Sequence, residues 1–227
     1  MIRYLYEDEL KTAPLLKEIM FLDRVDQFKT RLGWDVTLED NGYERDEYDS
    51  HNSLYVIYQK ADGTHGGLMR LLPSTGRTMV NEHFSEILGS GDVRSPFIWE
   101  FTRFCLARNT EPRTAAALML AGGAVMENFG VKHFVGMFDV RMVRIYGMIG
   151  ASPEVLGSTG DGREKISVGL WFFTDEARLL VAQKAGISAA LSKLWFERSF
   201  GSDAPKVSEF ARVKQTSAGT LHGVQIA

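Results

Sequence analysis

The sequence predicts a single-domain α/β/α sandwich on a mixed sheet, and three observations point there. Two strand-like runs flank an Asp62-Gly63 hairpin signal, and strand, helix, strand, helix and strand patterns then alternate. With 44% hydrophobic and 24% charged residues, the chain has the composition of a soluble globular protein. Its 227 residues suit one domain with a core large enough to fold unaided, here residues 1–200, followed by a polar tail over 201–227.

Each element follows from local pattern. Apolar positions Leu10, Leu15, Leu16, Ile19, Met20, Val25 and Phe28 predict an amphipathic helix over 8–31, broken near Pro14. The acidic run 35–52 predicts a loop. "SLYVIYQ" (53–59) and "GGLMRLL" (66–72) predict the hairpin strands, and "FIWEFTRFCLA" (97–107) the next strand. Pro112 opens a helix that Gly130 stops. "KHFVGMFD" (132–139) is a strand, 140–150 a helix, 164–173 a late strand and about 175–198 a final helix.

A net charge of -3 argues against a general nucleic-acid binder. The lone Cys105 excludes an internal disulfide and fits a reducing cytoplasm. The start, "MIRYLYEDELKTAPLL", lacks the pattern of a signal peptide, and no stretch approaches the ~20 apolar residues of a membrane span. The five histidines show no metal-ligand spacing, so no metal is expected. Nucleotide-binding glycine loops and a nucleophile elbow are also absent, and no bound cofactor is expected.

Charges stand where an apolar pattern would not put them. Arg70 lies inside an apolar strand and needs a carboxylate partner if buried, for which Asp46 and Asp49 are candidates. Glu100 and Arg103 share the strand 97–107 three positions apart, so a regular strand would point them to opposite faces. A β-bulge between them would bring both to one side. Either an electrostatic cluster lining a cleft or an ion network tying loop to sheet accounts for this set.

The spacing of these residues resembles the acyl-homoserine-lactone synthases of the LuxI type. The resemblance rests on Arg24, Phe28 and Trp34, then Glu44, Asp46 and Asp49, then "RLLPSTGRTM" from Arg70, Phe84, and "EFTRFCLA" from Glu100. It is specific over about residues 20–110 and looser to about 175. It implies a fold similar to the N-acetyltransferase superfamily, with a central sheet that splays open to hold a pantetheine arm and acyl chain. It also implies transfer of an acyl group from acyl-acyl carrier protein to S-adenosylmethionine, then lactonisation with release of methylthioadenosine.

Under that resemblance Glu100 is the expected general base, with Arg103 and Arg70 beside it. Arg24, Phe28 and Trp34 would belong to an N-terminal lid (about 8–52) over S-adenosylmethionine. Phe84 would complete that site, and Asp46 and Asp49 would bind the ammonium or orient Arg70 and Arg103. Backbone N–H groups at the bulge would stabilise the thioester oxyanion. Gly136 stands where many members that make 3-oxo products carry a threonine, which implies an acyl chain without the 3-oxo group. Met119, Met126, Met137 and Met142 would set chain length. Arg141 and Arg144, extended by Lys132, Arg108 and Arg113, would dock the acidic carrier protein.

Two rival readings exist. An ordinary acyl-CoA-dependent N-acyltransferase would carry a glycine-bearing pyrophosphate loop, where this chain has "ARNTEPRTAAAL". A non-catalytic signal-binding module would be favoured by loss of Glu100 or Trp34, and both are present.

Overall fold

A computed structural model describes residues 1–89 and 91–201; the tail expected over 201–227 lies outside it apart from Gly201. Strand β1 (Ile2–Tyr6) leads through a 3-10 turn into helix α1 (Pro14–Arg24), which runs on as a π-helical stretch, Val25–Arg31. Pro14 occupies the first turn of α1, where its missing N–H costs nothing. A long loop with one 3-10 turn (Glu47–Ser50) reaches β2 (Leu54–Gln59), followed by β3 (His65–Pro73), α2 (Met79–His83) and β4 (Ile98–Leu106). Then come α3 (Thr114–Phe129), β5 (His133–Asp139), α4 (Val140–Ile149), β6 (Glu154–Thr159), β7 (Ile166–Trp171), α5 (Asp175–Ala185) and α6 (Ala189–Phe200).

The strands form one mixed sheet in the order β1-β2-β3-β4-β5-β7-β6. Neighbours are antiparallel except β4 and β5, which run parallel. One face carries α3, which is apolar nearly all round and packs with α4, α5 and α6 into the main core. The other face carries α1 and its π-helical extension on a second apolar cluster, including Leu16, Met20, Phe21, Phe28, Tyr55 and Leu68. Among the described residues no helix is long and apolar enough to cross a membrane.

The α/β sandwich with a mixed, splayed sheet is the fold expected from the sequence, with three differences. β1 lies too close to the N-terminus for its short alternation to stand out. β6 is an edge strand whose side chains are nearly all exposed, so no apolar alternation marks it. The expected final helix is two, because Gly186 ends α5 with φ at 65°, a left-handed conformation that a helix cannot continue through.

β4 and β5 pair only where Ile98–Glu100 face His133–Val135, and beyond that they part. The fork this opens in the middle of the sheet positions the site.

Candidate functional site

The bulge expected in β4 is present. Leu68 pairs with Cys105 but Arg70 with Thr102, so β4 carries one residue more than β3 across this step. Arg103 stands in the left-handed region with φ at 52°, which non-glycine residues seldom adopt. Phe101 and Phe104 thereby face the main core, while Arg103 and Cys105 face the N-terminal segment and Glu100 faces α2.

On that side three guanidiniums meet three carboxylates. Arg24 donates from Nε to Glu44 at 2.5 Å and grips Asp49 with both terminal nitrogens at 2.9 Å. Arg70 bonds Asp46 through both terminal nitrogens, Asp49 at 2.8 Å and the Thr102 hydroxyl at 3.1 Å. Arg103 forms ion pairs with Asp46 at 2.7 Å and Glu44 at 3.0 Å. The Tyr55 hydroxyl adds a bond to Asp49 at 2.6 Å. Arg24, Arg70, Glu44 and Asp49 have no solvent exposure at all. Burial alone would raise the Asp49 pKa, but Arg24 and Arg70 hold the carboxyl far below the usual range. Asp46 also caps the 3-10 turn at 47–50, accepting from Tyr48 and Asp49 N–H. The network therefore fixes both the loop and the arginines.

Glu100 is buried outside this network. Its Oε1 accepts the Val80 N–H of α2 at 2.6 Å, while its Oε2 has no hydrogen-bond partner among the described residues. Burial pushes its pKa up to about 7, against the opposing pull of the Val80 N–H and Arg70. A carboxyl balanced near neutrality with an open lone-pair site suits proton transfer.

A cavity of about 740 Å³ occupies the fork. Thr102, Arg103 and Phe104 of β4 form one wall, and Met137, Phe138 and Asp139 of β5 the other. Phe28 and Trp34 cover it, stacked at 5.3 Å and 17°, with the Arg103 guanidinium 5.3 Å over the Phe28 ring. Met142, Ile145 and Tyr146 of α4 line its apolar side.

Of the residues expected at the site, Phe28, Trp34, Phe84, Arg103, Met137 and Met142 border this cavity, and so does Arg141, expected as a docking residue. Arg24, Arg70, Asp46, Asp49 and Glu100 do not line it; Arg24 and Arg70 pair with Asp49, and Asp46 pairs with Arg70 and with Arg103, which does line it. Met119 and Met126 are buried in the main core away from the cavity wall. Gly136 leaves no spare room either: a Cβ there would fall 2.4 Å from the Phe101 carbonyl oxygen. Arg141 and Arg144 are exposed on α4, but Lys132 precedes β5 at its far end, about 20 Å away at strand rise, so the three form no single patch. Arg108 and Arg113 are engaged with Asp26 and Glu111.

Sequence reasoning missed the role of Glu44, although its place in E-x-D-x2-D was the available signal. It also missed Val80, whose contribution is a backbone N–H that no side-chain pattern encodes, and the cavity residues Thr102, Asp139 and Tyr146.

Residues 7–179 match the family described as Autoinducer synthase. An acyl-homoserine-lactone synthase of Rhizobium etli is 38% identical over 190 residues, covering 80% of this chain and 89% of that one. Among solved structures, the CoA-dependent acyl-homoserine lactone synthase MesI shares the fold with a TM-score of 0.73 at 22% identity, covering 84% of this chain and 98% of its own. BjaI, a CoA-dependent synthase solved with SAM and isopentyl-CoA, matches with a TM-score of 0.73 at 19% identity, covering 83% of this chain and 90% of its own.

Proposed function

The chain belongs to the autoinducer synthase family, and from that membership we propose how it makes an acyl-homoserine lactone. The acyl donor is an acyl-acyl carrier protein, the amine is that of S-adenosylmethionine, and the acyl chain lacks a 3-oxo group. No cofactor takes part beyond these substrates, and the enzyme works in the cytoplasm. One observation carries the mechanism: a cleft with a charged, aromatic-covered half and an apolar half is lined by Met79 and Thr102, close in the chain to the Val80–Glu100 hydrogen bond, with Glu100 itself buried behind them.

S-adenosylmethionine lies under Phe28 and Trp34, whose faces suit its sulfonium and adenine, with Arg103 toward its carboxylate. Glu100 takes a proton from the ammonium, through a water that reaches its open Oε2. The freed amine attacks the thioester carbon, the oxyanion is met by backbone N–H groups at the bulge, and the carrier thiol leaves. The substrate's own carboxylate then attacks the carbon next to the sulfonium. The ring closes and methylthioadenosine departs.

The apolar half, with Phe104, Met137, Phe138 and Met142, suits an acyl chain. At position 136 no side chain can meet a 3-oxo oxygen, because the Phe101 carbonyl fills that space. The carrier-protein donor is supported by exposed Arg141 and Arg144 beside the cleft and by the missing glycine loop before α3. The test is purified enzyme with S-adenosylmethionine and matched acyl-carrier and acyl-CoA donors, products read by mass spectrometry. Higher kcat/KM with the carrier-bound donor supports the assignment; preference for the CoA donor rejects that part of it.

A further inference from the structure

Four tyrosines are buried among the described residues, Tyr4, Tyr48, Tyr55 and Tyr146. The first three give their hydroxyl to protein acceptors: Tyr4 to the Ala121 carbonyl at 3.5 Å, Tyr48 to Glu82 at 2.8 Å and Tyr55 to Asp49 at 2.6 Å. Tyr146 is 2% exposed and lines the cavity, yet its hydroxyl makes no hydrogen bond among the described residues. The hydroxyl is not fully enclosed although the ring is buried, so it is free to meet a group that enters the cavity.

Packing does not account for the hydroxyl. The ring is held edge-on by Trp171 at 5.1 Å, Phe138 at 5.6 Å and Phe104 at 6.1 Å, a cage that phenylalanine would fill equally well. Asp139 lines the same cavity as Tyr146. Its carboxylate accepts from the Arg141 N–H at 2.8 Å and from the Arg141 guanidinium, which leaves lone pairs unused. Burial first, and the Asp139 charge second, push the phenol above its ordinary range, so Tyr146 stays protonated and able to donate.

We propose that Tyr146 determines acyl specificity by donating a hydrogen bond to a hydroxyl carried on the acyl chain, while Asp139 accepts the hydrogen of that hydroxyl. A hydroxyl answers both groups at once. A carbonyl oxygen could accept from Tyr146 but would turn lone pairs toward the Asp139 carboxylate, and an unsubstituted chain would leave the donor unpaired. The preferred substrate class is therefore a hydroxyacyl thioester. This assignment rests on the acyl chain occupying the fork between β4 and β5.

The test compares kcat/KM for donors of equal length that are unsubstituted, hydroxylated at successive carbons, or 3-oxo, in the wild type and in Tyr146→Phe. The expected result is about tenfold preference for one hydroxylated donor over the unsubstituted one, falling toward unity in the variant. The ratio is unaffected by any loss of folded protein. An unchanged ratio in Tyr146→Phe, an equal loss with every donor, or a wild-type preference for the unsubstituted or 3-oxo donor would overturn it. Absence of methylthioadenosine release with all donors would instead reject the synthase mechanism, and this proposal with it.

Discussion

The Val80 N–H donates to the Glu100 carboxylate at 2.6 Å, and Glu100 has no arginine partner although three arginines lie on the same side of the sheet. Those arginines are consumed by Glu44, Asp46 and Asp49. Glu100 is thus left as a buried acid that is costly to ionise.

That cost has a sign in stability. Its folded pKa, about 7, lies above the ordinary 4.5, so between these values the folded chain binds more protons than the unfolded one. Stability from this group is fully present below about pH 4.5, falls as pH rises through about 7, and stays lower above. Glu100→Gln keeps the bond from Val80 and removes the charge. It should be more stable than the wild type at pH 8, by up to ~3 kcal/mol, and nearly equal at pH 5, as read by urea unfolding.

Arg24 ties α1 to the loop before β2 through Glu44 and Asp49. Arg24→Ala would leave Glu44 and Asp49 buried with one cation fewer, and should cost about 3–5 kcal/mol. Arg24→Lys should recover only part, because one ammonium cannot reproduce the two-pronged grip on Asp49. Thermal melts of both variants check this; a loss below about 1 kcal/mol in Arg24→Ala would contradict the network's role.

Gly136 is required by the close approach of β5 to β4. The atom that a Cβ would strike is a backbone oxygen, which cannot rotate away. Gly136→Ala should destabilise by about 1–3 kcal/mol and alter product yield, and Gly136→Thr should do more damage. Calorimetry with product analysis measures both. A fully stable Gly136→Thr would contradict the packing.

Arg144 is exposed on α4 and tests the donor. Arg144→Glu should lower kcat/KM about fivefold for a carrier-bound acyl chain, less for the same chain on CoA, with the difference shrinking at high salt. Equal effects on both donors would remove α4 from the docking surface.

The sequence was informative where one segment determines the outcome. The hairpin, β4, α3, β5 and α4 follow from periodicity and from the stops at Gly130 and Gly150. The bulge was legible only as the condition under which Glu100 and Arg103 would share a face. Pairing across segments was not. Nothing in the order of residues says that Glu44 bridges Arg24 and Arg103, or that Glu100 answers to Val80 while the arginines go elsewhere. The closeness of Gly136 to Phe101 likewise depends on how two distant strands approach, and the unpaired Tyr146 hydroxyl on what four surrounding rings fail to offer.

The central claim is that Glu100 takes the proton from the amine of S-adenosylmethionine. Its most direct test is the pH dependence of methylthioadenosine and lactone formation by the wild type and Glu100→Gln. The wild-type rate should rise with pH through about 7 and level off, following ionisation of the carboxyl. The variant should be slower by about 10²–10⁴-fold, with that inflection gone. A folded Glu100→Gln enzyme that keeps the wild-type rate and pH profile would contradict the account.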